Sequence, residues 1–258
     1  MRTALTIAGS DPSGGAGIQG DLKTFTRAGV YGMAALTALT VQNTQGVRGV
    51  HDVPPAFVAA QLDAIFDDLP VHAAKTGMLS RVEVIEAIVD VLTRRGIPPL
   101  VVDPVMVSTS GDALIDDDAT IAIMQKLFPL AAIVTPNLPE AERLCGFPLR
   151  SASHRERAAQ LMVSRGAGAV LIKGGHDEGD EIVDLLYFDN TFHEFRSPRI
   201  DTAHTHGTGC ALAAGIAAQL ALGTGMPEAV ERARNFVRNG LENAVVLGKG
   251  TNPLNHLA

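Results

Sequence analysis

The sequence predicts an α/β protein in which helices cover a mostly parallel β-sheet. Short aliphatic runs alternate with helical segments along most of the 258 residues, a pattern typical of parallel strands joined by right-handed crossovers. Of all residues, 46% are hydrophobic but only 4% are aromatic, and there is no Trp. Strands buried on both faces have this aliphatic composition. Because no linker or low-complexity segment divides the chain, we expect one domain over residues 1–258.

The elements of the first half are apolar runs bounded by turn residues. The predicted strands are Ala4–Ala8, Tyr31–Leu39 and Ala73–Lys75. The predicted helices are Ile18–Ala28, Phe57–Leu69 and Ser80–Arg95. Gly29 and Gly96 end two of these helices, and Ser80 with Glu83 predicts a capping box at the start of the third.

The second half continues the alternation and then changes. Leu100–Val102, Ala132–Val134 and Ala169–Ile172 are predicted strands, and Leu138–Leu144 and Ser153–Arg165 are predicted helices. The next two runs, Val183–Phe188 and Thr191–Phe195, flank Asp189-Asn190 and predict an antiparallel hairpin. A further helix is predicted to begin at Cys210, and the Gly-, Asn- and Pro-rich tail from Gly248 to Ala258 is predicted to be irregular.

The overall charge excludes several classes of partner. The formal net charge is −7 and no run of Lys or Arg is present, which argues against a nucleic-acid or anionic-membrane surface. No apolar stretch reaches about 18 residues and the N-terminus lacks a signal-peptide core, so we expect a cytoplasmic protein that binds small molecules. The two cysteines, Cys145 and Cys210, offer no disulfide framework. Cys145 is interpreted as a core residue.

The glycine-rich run Thr205–Cys210 opens directly onto an alanine-rich helix. Small residues let backbone N–H groups converge, and the first helical turn adds unpaired donors and the positive end of the dipole. The run therefore predicts an anion site that suits a phosphoryl group. A thiol at a helix N-terminus can have a lowered pKa and act as a base or nucleophile, so Cys210 is a candidate. The alternative is a small residue packed beneath the helix start.

Polar loops follow the other predicted strands, where ligands of open parallel sheets bind. These loops are Gly9–Gly17, Gln42–Thr44, Lys75–Met78, Asp103–Met106, Thr135–Asn137 and Lys173–His176. The first of them fits neither common nucleotide-binding fingerprint. Taken alone, its glycines favour a ligand loop and a flexible turn equally.

Asn137 and Glu140 are three residues apart at a predicted helix start, so both can face a hydrated metal–phosphate group. Asp103 follows a buried strand and could join them, with water between the side chains and Mg²⁺. Alternatively, Asn137 caps the helix and Glu140 completes a capping box. Lys173, beside two glycines, suits a position near nucleotide phosphates, or is a solvated turn residue.

Together these motifs resemble hydroxymethylpyrimidine/phosphomethylpyrimidine kinases of thiamine biosynthesis. The resemblance extends from about residue 4 to about residue 250, with the motifs in the same order. It implies the ribokinase-like fold, a three-layer αβα sandwich with a central mostly parallel sheet. It also implies a kinase that uses ATP and Mg²⁺, phosphorylates the hydroxymethyl group and then the resulting monophosphate, and forms a homodimer.

The resemblance also implies residue roles. The pyrimidine would lie near Gly9, Asp11, Asp21, Gln42, Met78 and Val105. Gly207, Thr208 and Gly209 would hold the transferring phosphoryl group, and Cys210 would take the hydroxyl proton. Asp103, Asn137 and Glu140 would organise Mg²⁺, whereas Lys173, Arg234 and Thr208 would contact the nucleotide. The sequence departs from the family at Ala203-His204, before the anion site, and at Arg234, where some members have Lys.

Three other functions remain open at this point. A pyridoxal kinase would use the same scaffold and a similar cysteine and glycine turn. An acyl transferase or hydrolase would use Cys210 as a nucleophile with His206 or His176. A regulator would bind the nucleotide without turnover. The segment Ser108–Asp118 is a candidate for a loop that closes over the site.

Overall fold

The computed structural model describes residues 1–106, 115, 117–175 and 179–258. Its strands are β1 (Thr3–Ala8), β2 (Tyr31–Leu36), β3 (Ala38–Asn43), β4 (Gly46–Asp52), β5 (Ala73–Thr76), β6 (Leu100–Val102), β7 (Ile133–Val134), β8 (Ala169–Ile172), β9 (Glu181–Phe188) and β10 (Thr191–Pro198). Its helices are α1 (Gly17–Arg27), α2 (Pro55–Asp68), α3 (Val82–Arg95), α4 (Asp117–Ala122), α5 (Leu138–Cys145), α6 (Ala152–Ser164), α7 (Thr208–Leu222) and α8 (Met226–Glu242).

Within the described residues, one sheet has the strand order β10-β9-β8-β7-β6-β5-β1-β2. The strands from β8 to β2 pair in parallel, whereas β9 and β10 form an antiparallel hairpin at one edge. The hairpin turns at Asp189 and Asn190, whose φ angles of 48° and 55° suit a tight two-residue turn. The predicted α/β class, the parallel sheet and the hairpin are therefore confirmed.

Helices cover both faces of this sheet and make three layers. Consecutive strand residues point to opposite faces, and Leu5 packs in the core beneath α2 to α6 whereas Ala4 packs in the core beneath α1, α7 and α8. Helix α7 has no distinct polar face, and nine of its residues are buried, of which six are alanine. Its Gly215 lies against Ala233 of α8, where an added Cβ would come within 2.9 Å of the alanine Cβ. Small side chains thus let α7 pack closely between the sheet and α8.

One predicted strand is wrong in a way that matters for the site. The run Tyr31–Leu39 is divided at Thr37, where the chain leaves the central sheet. The Thr37 N–H donates to Ala8 O, and its hydroxyl donates to Met78 O at 2.8 Å. Beyond this point, β3 pairs with β4 as a separate antiparallel ribbon. Gln42 therefore lies on this ribbon and not in a loop that follows a strand of the central sheet.

Helix α3 also begins differently from the prediction. Arg81 is its N-cap residue and no side chain caps it. The Ser80 hydroxyl instead donates to Asp52 at the end of β4, at 2.5 Å, so the predicted capping box is wrong. Gly96 does end the helix, with φ 91°. The helices α4 and α8 were not predicted, whereas the tail from residue 248 is irregular as expected.

Among the described residues, no helix is long and apolar enough to cross a bilayer. Cys145 is half-buried on α5 and packs against the core, with its Sγ 3.8 Å from Ala158 O. This position agrees with the interpretation of Cys145 as a core residue.

Candidate active site

A cavity of about 1130 Å³ lies along the carboxyl ends of the parallel strands. Of the fifteen residues expected to form the site, fourteen line it. They are Gly9, Asp11, Gln42, Met78, Asp103, Val105, Asn137, Glu140, Lys173, Gly207, Thr208, Gly209, Cys210 and Arg234. The fifteenth, Asp21, lies beneath its floor. The fold therefore brings residues from distant parts of the sequence to one crevice.

The glycine turn ends in the first turn of α7. Gly207 is the N-cap residue with φ 78°, and an added Cβ there would overlap with the Gly15 carbonyl. Only glycine suits both the left-handed conformation and this close approach. At Gly209 the space opens toward Lys173 Nζ and Asp103 Oδ2, which would be 3.4 and 3.9 Å from a Cβ. A group held at the helix start would therefore meet backbone donors, a lysine and a carboxylate.

Cys210 lies inside this first turn, because α7 begins two residues before the predicted start. Burial raises the pKa of its thiol to about 11, and the nearby negative charges of Asp21 and Asp103 act in the same direction. The positive charge of Lys75 opposes this effect only in part. The expected lowering of this pKa at a helix N-terminus is therefore wrong, because loss of solvation outweighs the attraction of Lys75.

Beneath Cys210, Lys75 and Asp21 form a fully buried ion pair. Lys75 Nζ lies 2.8 and 3.1 Å from the two carboxylate oxygens, and Thr6 Oγ1 donates to Asp21 at 2.6 Å. Burial would lower the pKa of Lys75, but the Asp21 carboxylate raises it above its ordinary value. Asp21, expected near the pyrimidine, is 0% exposed and instead holds Lys75. Lys75 belongs to the wall of the cavity but is itself 0% exposed, so its positive charge acts on the cavity from beneath the surface.

Lys75 begins the predicted loop Lys75–Met78, but no part in binding or catalysis was predicted for it. The available signal was a single charged residue at the carboxyl end of the otherwise apolar strand Ala73–Thr76. A buried lysine requires a partner, and the sequence does not show that Asp21, 54 residues earlier, provides it.

Asp11 holds the β1–α1 loop together. Its carboxylate accepts hydrogen bonds from the Ser13 N–H and hydroxyl and from the Ala16 N–H, and His206 Nε2 lies 2.7 Å from Oδ2. Burial would raise the pKa of Asp11, but the contacts with His206 and Ser13 lower it to about 2. Because His206 faces Asp11, the hypothesis that it activates Cys210 as a nucleophile loses its support. The other candidate, His176, lies outside the described residues, as does most of the segment 108–118.

Gly9 and Met78 approach each other at the opposite side of the same loop. An added Cβ at Gly9 would lie 3.5 Å from Met78 Sδ, and Val105 lines the cavity nearby. Gln42 projects from the ribbon, where a register shift separates it from Val41. Thr40 Oγ1, which donates to Ser10 O at 2.8 Å, lies 3.2 Å from the Gln42 carboxamide and helps to orient it. This end of the cavity thus combines apolar contacts with a directed amide.

Lys173 lies between two carboxylates at the end of β8. Its Nζ is 2.9 Å from Asp103 Oδ1 and 3.9 Å from Glu140 Oε2, and the Thr135 hydroxyl donates to Asp103 at 3.1 Å. Burial raises the pKa of Glu140 to about 7, although the positive charge of Lys173 lowers it. The alternative interpretation of Lys173 as a solvated turn residue is wrong, because only 13% of its side chain is exposed.

Asn137 and Glu140 form the capping box that was the alternative explanation for their spacing. The Asn137 N–H donates to Glu140 Oε2 at 2.8 Å, and the Glu140 N–H donates to Asn137 Oδ1 at 2.9 Å. In the described part of the chain, no three His, Cys, Asp or Glu residues are placed to hold a metal ion directly. The carboxylate oxygens of Asp103 and Glu140 are nevertheless of the ligand type that Mg²⁺ prefers. Because Mg²⁺ keeps most of its waters, they could contact it through water.

Arg234 projects from α8 at the far end of the cavity. Its Nε donates to Asp184 Oδ2 at 2.6 Å, and Nη2 donates to Phe195 O at 3.0 Å. Asp184 Oδ1 also accepts the Gly174 N–H at 2.7 Å, so it connects the Lys173 loop to α8. Asp184 was not predicted as a site residue, because its position inside the hairpin strand β9 gave no sign of this contact.

The sequence matches the phosphomethylpyrimidine kinase family over residues 11–255. It is 49% identical to the hydroxymethylpyrimidine/phosphomethylpyrimidine kinase of Rhizobium meliloti over 98% of this chain and 96% of that protein. It is 51% identical to a thiamine biosynthesis bifunctional protein of Geobacter sulfurreducens over 99% of this chain. The chain spans 52% of the length of that bifunctional protein.

Among the similar solved structures, two examples cover nearly all of the chain. An ADP complex of Bacillus subtilis pyridoxal kinase has a TM-score of 0.91 and 38% identity, with 99% of this chain and 97% of that chain covered. A phosphomethylpyrimidine kinase from Clostridium difficile has a TM-score of 0.83 and 41% identity, with 93% and 99% covered. The three-layer fold is therefore that of ribokinase-like kinases, as expected.

The Glu140→Gln substitution should change how stability depends on pH. The folded-state pKa of Glu140 is raised to about 7, so its contribution is fully present at low pH and is lost as the pH rises through 7. The variant lacks this titration and keeps the capping geometry. We expect it to gain stability relative to the parent between pH 5 and pH 8, measured by urea unfolding. The exposed control Glu156→Gln should show no such gain, and equal pH dependence in the parent and Glu140→Gln would contradict the assignment.

Proposed function

The chain belongs to the hydroxymethylpyrimidine/phosphomethylpyrimidine kinase family, and we propose that its cavity binds the pyrimidine and ATP at opposite ends of the α7 first turn. The protein is an ATP-using phosphotransferase of thiamine biosynthesis. It phosphorylates 4-amino-5-hydroxymethyl-2-methylpyrimidine and then the monophosphate. The observation that supports the arrangement is one cavity that contains the loops of all the family motifs around the turn Gly207–Cys210. Residues 1–258 then act as one kinase domain.

The pyrimidine is assigned to the end formed by Gly9, Gln42, Met78 and Val105. An aminopyrimidine presents adjacent hydrogen-bond donors and acceptors, and a side-chain amide offers both. Met78 and Val105 supply apolar contact with the flat ring, and the absence of a side chain at Gly9 leaves room for it. Asp11 contributes by fixing the shape of the loop, since its carboxylate already accepts several hydrogen bonds.

The nucleotide is assigned to the end between α8 and the β9–β10 hairpin. Lys173 approaches the α7 turn, in which Thr208 is the first helical residue, and the phosphates would pass here. Arg234 is fixed by Asp184 and Phe195, so its charge is held in one place. The apolar side chains of Ile182, Ile200, Val237 and Leu241 line the far wall. Such a wall suits the flat base of the nucleotide.

Asp103 and Glu140, together with the Asn137 carboxamide at the helix start, are assigned to a hydrated Mg²⁺. Because Lys173 already contacts both carboxylates, we propose contact through water and not direct coordination. Bound Mg²⁺ neutralises charge on the transferring phosphates. The pKa of Glu140 is raised to about 7, and a cation bound nearby would lower it and favour the carboxylate.

In the transfer step, the substrate hydroxyl oxygen forms a bond to the γ-phosphorus while the bond from that phosphorus to the ADP oxygen breaks. The N–H groups of Gly207 to Cys210 and the Lys173 ammonium stabilise the charge on the phosphoryl oxygens. The hydroxyl proton passes to Cys210 Sγ. The buried Lys75 ammonium favours the thiolate that this step requires, and the raised thiol pKa limits its amount at neutral pH.

Pyridoxal phosphorylation is the second candidate, because pyridoxal kinases share the fold. A cysteine-nucleophile acyl transferase is not favoured, since burial raises the pKa of Cys210 and His206 pairs with Asp11. A regulator without turnover would not require the transfer geometry around Cys210. Because the reaction consumes ATP, we assign it to the cytoplasm.

We propose a homodimer that uses the outer face of the β3–β4 ribbon. Leu39 and Val41, which share one face of β3, are 46% and 64% exposed. Large exposed apolar side chains that cluster on a small two-stranded sheet are typical of an interface between subunits.

Incubation of the purified protein with MgATP and hydroxymethylpyrimidine should give the pyrimidine monophosphate and then the pyrophosphate. Mass spectrometry detects both products. The kcat/KM for hydroxymethylpyrimidine should exceed that for pyridoxal. Pyridoxal phosphate as the preferred product would transfer the assignment to a pyridoxal kinase. The absence of both products would refute the kinase assignment itself.

Cys210→Ala should lower kcat by about 10²–10⁴, the usual contribution of a positioned base. Binding of a nonhydrolysable ATP analogue should stay within about threefold, because the backbone donors remain. In the parent, kcat should rise with pH between 7 and 9, since the pKa of the thiol is raised to about 11, and Cys210→Ala should lose this rise. The control Cys145→Ala should retain both, and an unchanged kcat for Cys210→Ala would leave Cys210 a packing residue.

Gln42→Ala should raise the KM for hydroxymethylpyrimidine by about 10- to 100-fold, because a directed amide contact is lost. The KM for ATP should change little, since Gln42 lies at the other end of the cavity. Gln45→Ala, the same change at an exposed position of the same ribbon, is the matched control and should behave as the parent. An equal loss of ATP affinity in Gln42→Ala would contradict the assigned role.

A further inference from the structure

The C-terminal tail contacts the ribbon that carries Gln42. Gly250 N–H donates to Thr44 Oγ1 at 3.2 Å, where Thr44 lies between β3 and β4. An added Cβ at Gly248 or Gly250 would overlap with Thr44. Two glycines therefore allow the tail to lie directly against the turn of the ribbon.

Asn252 fixes the shape of this part of the tail. It is 5% exposed, and its Oδ1 accepts the N–H groups of Leu247 and Gly248 at 2.8 and 2.7 Å. Its Nδ2 donates to the carbonyl oxygens of Gly248 and Gly250 at 3.3 and 2.9 Å. A single buried carboxamide thus uses both ends to hold Leu247–Gly250 in one conformation.

The same residue connects the tail to the phosphate side of the cavity. The His206 N–H donates to Asn252 O at 3.1 Å, and a β-bridge pairs His206 with Pro253. His206 in turn contacts Asp11 and directly precedes Gly207 of the anion turn. Pro253 also packs at Gly15, where an added Cβ would come within 2.8 Å of the proline Cβ.

A continuous set of contacts therefore joins Thr44, the tail and Gly207. We propose that the tail couples the pyrimidine-binding ribbon to the phosphate-binding turn, with Asn252 as a positioning residue. This inference rests on the proposed function, which places the pyrimidine at Gln42 and the phosphoryl group at Gly207–Cys210.

The physical basis is shared ordering. A two-stranded ribbon is marginally stable alone. A ligand that orders the ribbon therefore binds at the cost of the ribbon's conformational entropy. Because one tail contacts both the ribbon and the anion turn, a ligand that orders either of them orders both. Binding of the second ligand then costs less conformational entropy of the protein. The two ligands should bind more tightly together than separately, and the effect must be reciprocal.

The experiment is isothermal titration calorimetry of hydroxymethylpyrimidine with and without a saturating nonhydrolysable ATP analogue and Mg²⁺. The coupling factor is the ratio of the two Kd values, and we expect about fivefold or more in the parent. Thr44→Val removes only the hydroxyl that accepts the Gly250 N–H, and Asn252→Ala removes the carboxamide. Both substitutions should reduce the coupling factor to below about twofold. In steady-state assays, each should lower kcat by a larger factor than it changes the KM of either substrate.

Asn255→Ala is the matched control. Asn255 lies in the same tail, but its carboxamide contacts Asn243 O and the Leu257 N–H and neither the ribbon nor His206. It should keep the parental coupling. If Asn252→Ala fails to fold, as judged by its thermal transition, Thr44→Val carries the test, because its position is at a turn.

Absence of coupling in the parent, or parental coupling in Thr44→Val, would overturn the inference. Failure of the proposed function has a different result: Gln42→Ala would then leave the Kd of hydroxymethylpyrimidine without the nucleotide analogue unchanged. The two failures are therefore distinguishable in the same set of titrations.

Discussion

The site depends on the close approach of two loops that are almost 200 residues apart in sequence. The backbone at Gly207 meets the carbonyl of Gly15, and no side chain can occupy the space between them. This contact sets the position of the first turn of α7 relative to the end of β1. The Asp11–His206 contact and the position of Cys210 over the Lys75–Asp21 pair both follow from it. A helix start placed in this way presents backbone donors without the reorganisation that a flexible loop would require.

Burial of charge is the second general property of the site. Lys75, Asp21, Asp103 and Lys173 are all largely removed from water, and each has an oppositely charged partner within hydrogen-bond distance. Pairs of this kind contribute little net stability, because desolvation offsets their attraction. Their value lies in preorganisation, since charges held in fixed positions act more strongly on a phosphoryl group than solvated ones.

Much of the architecture could be predicted because its signals are local. Aliphatic runs with glycine boundaries indicated most strands of the central sheet, and the Asp189-Asn190 pair indicated the hairpin. The division of Tyr31–Leu39 could not be predicted, because it depends on hydrogen bonds from Thr37 to Ala8 and Met78. The site loops were recognised by family motifs, but the roles of Lys75, Asp184 and His206 depend on partners that are distant in sequence. The raised pKa of Cys210 likewise reflects burial, which a helix-start motif does not reveal.

The separate ribbon also has a consequence for how specificity can change. Gln42 lies on β3 of a ribbon that shares no ladder with the central sheet, so a substitution at this position breaks no hydrogen bond of that sheet. The register shift beside Val41 determines which of the alternating side chains enter the cavity and which remain exposed. A change in that register would exchange the side chains that a ring meets, while the contacts of the tail with Thr44 and His206 could remain. Substrate choice can therefore change through the side chains of the ribbon without loss of its link to the phosphate turn, which suits a scaffold on which enzymes for different heterocycles can diverge.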